Sequence, residues 1–350
     1  MMLSWVRFIG SIILVLALAA CSWRAEEIVI PPSNKVSADP DSRENALINL
    51  ELSPISTESS DLSGVQLQQL RSDYVDLVPL VEELSQKANT ELSWQGVLNQ
   101  EIRNRLADIE MLIAEEAQAD GKPLAEGDSY YRVAIQSYQQ LLAESEQSAT
   151  PLEPIAKENL LYQLARAFSL QGEDEQSLVY SNQLLQAFPF SEFASELQFR
   201  QGEFFYNRGD YPAAIKAYRK VIDGAFDPYA EDGQRNVDVN DPFYPMSAYM
   251  LGWSHFKREQ YARAIDAFAL MLDASLSPDE YTQAYKPIES LGLSQQKLVE
   301  DSLDMMALMF AAEGGALAIN AYYAAEDDSP YTFLVYDALA QQCCTLPLGR

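Results

Sequence analysis

Apolar positions recur with helical spacing along most of this chain. Between residues 61 and 125 two such stripes stand out. The first runs Leu67, Leu70, Tyr74, Leu77, Val81 and Leu84 at heptad spacing, with Pro79 placed to kink it. The second lies between about Ser93 and Gln118 and carries Leu98, Ile102, Leu106, Ile109 and Ile113 on one face. Together they predict an antiparallel helical pair, with a coiled coil to a partner as the alternative.

From residue 128 to 325 the pattern changes into a repeat. Leu164-Ala165, Phe168, Gly172 and Ser177 are answered by Gly202, Phe205, Gly209-Asp210-Tyr211, Ala214-Ile215 and Tyr218. Leu251-Gly252, Tyr261, Ala264-Ile265 and Phe268 answer them again. In each unit a small residue precedes a second small residue by twelve positions. Small residues are needed where paired helices cross closely, aromatics fill the gaps beside them, and Gly turns the chain. The pattern resembles the tetratricopeptide repeat, a helix–turn–helix unit. Starts at Ala165, Gly202 and Gly252 give longer connections than that repeat normally has. The acidic insert Asp227 to Pro242 fills the second interval. Val299 to Ala325 reads as a degenerate fourth unit turning at Gly314-Gly315, and Tyr130 to Leu142 as the second helix of an earlier one. Tyr331 to Gln341 reads as the first helix of a further unit. No second helix follows it, so an uncovered apolar face and self-association are expected there. Strand signals are sparse. The fold class is all-α: a solenoid of helical hairpins preceded by a helical pair.

The two ends of the chain read differently. Arg7 and the thirteen apolar or small residues from Phe8 to Ala20 form a charged segment and a short apolar run. About 20 Å of helix is too short for a hydrocarbon core of about 30 Å, so this reads as a signal peptide of residues 1–20. Leu18-Ala19-Ala20-Cys21 matches the bacterial lipobox. That resemblance implies cleavage before Cys21 and lipid on its thiol and on the new amino terminus. Several acyl chains anchor a protein stably where one does not. Ser22, where lipoproteins kept at the inner membrane carry Asp, points to the outer membrane. Residues 21–60 are polar and proline-containing, a flexible tether. The domain expectation is therefore signal 1–20, tether 21–60, helical pair 61–125, repeat array 128–325, and incomplete repeat with tail 331–350.

Charge and composition narrow the chemistry. The formal net charge is −28, which argues against nucleic acid as a partner. His255 is the single histidine. It stands where the other units carry a packing aromatic, so a structural role is expected. Besides Cys21 the thiols are the adjacent Cys343 and Cys344, too close at Cα for an ordinary disulfide. The insert acids Asp227, Glu231, Asp232, Asp238 and Asp241 do not follow calcium-loop spacing and read as a solvated loop. No nucleophile elbow, phosphate loop or zinc motif is present. No enzyme activity, cofactor, metal or small-molecule substrate is expected. A peptidoglycan hydrolase working through paired carboxylates is the reading from another class.

The runs Phe188-Pro189-Phe190-Ser191-Glu192-Phe193-Ala194 and Phe204 to Tyr211 are similar to those of tetratricopeptide-repeat lipoproteins in Gram-negative envelopes. The segment Asp241 to Lys257 most resembles those of gliding motility and energised envelope machines. Lipoproteins of β-barrel assembly are a more distant likeness. The resemblance implies a scaffold on the periplasmic face of the outer membrane, held by the lipid on Cys21 and binding envelope proteins. In such repeats the first helices line a groove. Counting from the small residues places Tyr162 and Arg166, then Phe199, Glu203 and Tyr206, then Tyr249, Trp253 and Phe256 in it. Aromatics with a few charges suit a protein-binding surface, with packing between repeats as the alternative for any one ring. The Lys and Asn set that clamps peptide carboxylates in chaperone-binding repeats is missing. Lys216, Arg219 and Lys220 read as a solvated outer face.

Overall fold

A computed structural model describes residues 64–87, 94–125, 128–147, 152–226, 235–236, 239, 241–276, 286–325 and 329–345. Leu18 to Cys21, the tether and nearly all of the acidic insert fall outside these. So do the side chains of Val81, Leu84, Leu98, Cys343 and Cys344. The chain forms two compact units that meet between Ser181 and Asn182.

The first unit is a run of helices, each packed on the next: α1 (Gly64–Lys87), α2 (Trp94–Ala119), α3 (Arg132–Gln147) and α4 (Pro154–Gln171). α5 (Asp174–Ala187) begins in it. The heptad stripe of α1 buries Leu67, Tyr74 and Leu77, and Ile102 and Ile109 answer from α2. α1 continues through Pro79 to Lys87. The chain turns at Gly172 into α5, where Phe168 stacks flat on Tyr180 at 5.5 Å.

The second unit contains the two hairpins with the clearest repeat signature. α6 (Ala194–Asn207) pairs with α7 (Tyr211–Ile222), and α8 (Phe243–Phe256) with α9 (Tyr261–Leu276). α8 also packs on both α6 and α7. A two-residue antiparallel ladder, Ala225–Phe226 with Arg235–Asn236, closes the neck of the insert. It is the sole β-structure among the described residues.

Close helix crossing explains the small residues. A β-carbon on Gly202 would stand 2.3 Å from the Tyr218 ring, and one on Gly252 would stand 2.7 Å from the Phe268 ring. Each ring lies sixteen positions after its glycine. In the first unit those two places hold Ala165 and Ser181, both buried. In the second unit each glycine thus faces an aromatic ring.

The turns repeat atom for atom. Glu173, Asp210 and Gln260 each donate the backbone N–H to a carbonyl five residues back, on Phe168, Phe205 and His255, at 2.9–3.0 Å. The residue before each donor has positive φ: Gly172 (81°), Gly209 (78°) and Glu259 (59°). Glycine adopts this left-handed cap without strain, and glutamate does not.

The carboxy-terminal helices depart from the repeat. α10 (Leu293–Glu313) and α11 (Ala316–Ala325) do not fold back on one another; the chain bends by 106° between them. By register the crossing places are Ala307 and Ile319, both fully buried. The second of these places holds Ile where the other units carry Ser or Ala. α12 (Thr332–Thr345) packs on α10 instead. The face expected to be uncovered on residues 331–341 is largely covered: Tyr331, Val335, Ala338 and Leu339 are buried in the core shared with α10, while Phe333 and Ala340 stay exposed. Exposed apolar side chains at this end lie on α11, where Leu317 is 80% exposed, and at Leu308 and Phe333. Among the described residues no single helix is long and apolar enough to cross a membrane.

Candidate partner-binding face

The groove positions fall into two sets, one in each unit. In the first unit Tyr162 and Arg166 lie on α4. The Arg166 guanidinium reaches Glu115 of α2 at 2.7 Å. Behind it lies a polar layer that the sequence pattern did not reveal. Tyr138 donates to Asp108 at 2.7 Å, Ser137 donates to Glu110 at 2.8 Å, and Tyr131 donates to Gln118. Burial pushes the Asp108 carboxyl up to about 6, against the opposing hydrogen bond from Tyr138. Burial also raises Glu115, with Arg166 pulling the other way.

In the second unit the aromatic groove residues sit on α6 and α8 and are held largely by each other. Phe199 is buried, its ring tilted against Tyr218 and Phe243 at 5.8 and 5.6 Å. Tyr206 is half-buried and edge-on to Tyr211; burial, with Tyr211 beside it, pushes its hydroxyl up to about 12. Trp253 makes edge contacts to Tyr249, Phe256 and Phe268, at 6.3, 5.7 and 6.3 Å. Lys257 lies over the indole at 5.9 Å. The Tyr249 hydroxyl donates to Asp301 of α10, whose pKa is raised by burial and lowered in part by Tyr249 and Trp253. Asp301 lies six places before Ala307, at the first groove position of the fourth unit; the repeat register is the signal that identifies it.

Two kinds of groove residue therefore emerge. Phe199 is core. Glu203, Tyr206, Tyr249, Trp253 and Phe256 are half-buried: one side of each packs between helices and the other faces out. Tyr–Asp bonds recur as ties between helices, in Tyr138–Asp108, Tyr249–Asp301 and Tyr331–Asp273.

His255 has a structural environment. It is buried, and its Nδ1 sits 2.8 Å from Oε1 of Gln260. The amide oxygen only accepts, so Nδ1 carries the proton. Burial lowers its pKa, and the ring is neutral near pH 7. Among the described residues no group of His, Cys, Asp and Glu is placed to hold a metal ion.

No curated protein matches this chain in sequence. Among solved structures, it is similar to BtubC (BKLC) from P. vanneervenii, at 12% identity and a TM-score of 0.40, over 81% of this chain and 95% of that one. It is also similar to the C-terminal part of a TPR repeat-containing protein from Cytophaga hutchinsonii, at 15% identity and a TM-score of 0.36, over 81% and 97%. Residues 160–191 and 196–223 match the tetratricopeptide repeat family model. The centre of this chain thus carries two tetratricopeptide repeats, with a third hairpin, α8–α9, turning and crossing in the same register.

Proposed function

We propose that this protein is a non-catalytic scaffold, lipid-anchored through Cys21 to the periplasmic face of the outer membrane, that gathers envelope proteins. Motility or energised envelope machinery is the setting the sequence resemblance suggests. The observation that carries the scaffold reading is the face of α6 and α8. Repeats in register present Glu203, Tyr206, Tyr249, Trp253 and Phe256 half-exposed on two successive first helices. Large rings that are rigidly packed on one side and open on the other make good hot spots, because little rotamer freedom is lost on binding. The histidine best suited to catalysis is engaged in packing and in its bond to Gln260.

Two measurements test this. Cys21→Ala should move the protein from the membrane to the soluble fraction and abolish incorporation of a labelled fatty acid; unchanged retention removes the anchor from the account. Incubation with peptidoglycan should give no turnover. Hydrolysis lost on a single carboxylate substitution would make the protein an enzyme instead.

A further inference from the structure

Among the arginines with described side chains, Arg208 lies over the Phe204 ring at 4.6 Å and the others divide into two groups. All six from Arg71 to Arg200 stand in ion pairs, with Glu110, Glu144, Glu101, Asp128, Glu115 and Glu196 in chain order. Acids outnumber bases 52 to 24, so a pair is the ordinary fate of a cation here. Arg219, Arg258 and Arg263 break the pattern. They are exposed, and among the described residues neither they nor Lys216 and Lys220 have an acidic partner.

These five cations come from three places in the second unit: the solvent face of α7, the turn after α8, and the first turn of α9. They converge. After burial, the field of Arg263, Arg219 and Arg258 acts on His255 and helps hold its pKa down. Lys216, Arg219 and Lys220 also line a wide hollow of about 730 Å³, together with Pro212, Ile215 and Asp223.

The helix dipole explains only part of this. Arg219 and Lys220 lie in the last turn of α7, where cations are favoured. Lys216 is in mid-helix. Arg263 is in the first turn of α9, where a cation is disfavoured. Among the described residues, no carboxylate of the chain forms an ion pair with these cations.

We propose that this basic face of α7 and α9 docks an acidic protein segment whose carboxylates flank one or two apolar side chains. Pro212 and Ile215 give the apolar side chains a place, and the surrounding cations meet the carboxylates. A narrow segment meets only this patch. An extended anionic surface, a bilayer or a nucleic acid, also meets the acidic remainder of the chain, and at a screening length of about 8 Å those charges are felt on contact.

The test uses the full chain and a fluorescein-labelled peptide rich in Asp and Glu around a Leu-Phe pair, read by anisotropy. The peptide should bind, more weakly as salt rises. Binding should fall at least about tenfold in Lys216→Glu/Arg219→Glu/Arg263→Glu, as expected when several close charge pairs are lost. It should be unchanged in Lys286→Glu/Lys297→Glu, two exposed lysines elsewhere. Circular dichroism confirms that both variants fold. Absence of binding, or equal binding by all three proteins, overturns the proposal. So does capture of phosphatidylglycerol vesicles that the triple variant loses, which would assign the patch to lipid.

Discussion

At the scale of single residues, three positions have a sign that physical argument fixes. Glu259 occupies a left-handed cap that its counterparts fill with glycine. Releasing it gains about 1–2 kcal/mol of backbone strain, against about 0.5–1 kcal/mol for the freer unfolded glycine. Glu259→Gly should therefore stabilise the fold by about 0.5–1 kcal/mol in denaturant titration; destabilisation would show that the side chain is needed. Gly202→Ala runs the other way. Helix propensity favours alanine by about 1 kcal/mol. The new methyl would meet the Tyr218 ring at 2.3 Å, and overpacking costs about 1–3 kcal/mol. Net destabilisation is expected, and a neutral result would mean that the ring has room to move. Tyr218 itself has a buried hydroxyl with no partner among the described residues. Tyr218→Phe should be neutral or slightly stabilising.

At the scale of elements, the repeat was legible because close crossing demands small residues at fixed places. Ala165, Gly202 and Gly252 mark α4, α6 and α8 in the sequence. The end of the array is legible only in part. Gly314-Gly315 does make the repeat's turn bond, Gly315 N–H to the Phe310 carbonyl at 2.7 Å, but the helices on either side meet at a bend of 106°. The ties between helices were hidden too. Tyr138–Asp108 and Tyr249–Asp301 join residues far apart in sequence, and nothing local marks them. The first of these ties has a measurable consequence. The Asp108 carboxyl is raised from 3.8 to about 6 by burial, so the folded chain holds this proton more tightly than the unfolded one. The stability linked to it is complete below about pH 4 and is lost as pH rises through about 6, up to about 3 kcal/mol. Asp108→Asn still accepts from Tyr138 and has no charge to bury. It should be more stable than the parent at pH 7 and should flatten the stability slope between pH 4 and 6. An unchanged slope would mean that Asp108 is not the group responsible. α12 gives a second check. Its amides around Val335 and Leu339 should exchange hydrogen as slowly as those of α10, whereas fast exchange would restore an open end.

At the scale of the whole molecule, the repeats support a scaffold that holds other proteins. The same rings serve two purposes. Tyr249 and Trp253 tie α8 to its neighbours and also form the open face, so alanine at either position confounds binding with stability. A probe that adds a reporter without removing the packing is better placed to decide. The most direct measurement is photo-crosslinking in intact membranes from a reactive residue at Tyr206, with one at the exposed Glu300 of α10 as control. The account predicts one discrete adduct from Tyr206 that Glu300 does not give. No adduct from Tyr206, or the same adduct from both positions, would contradict a partner-binding face on α6 and α8.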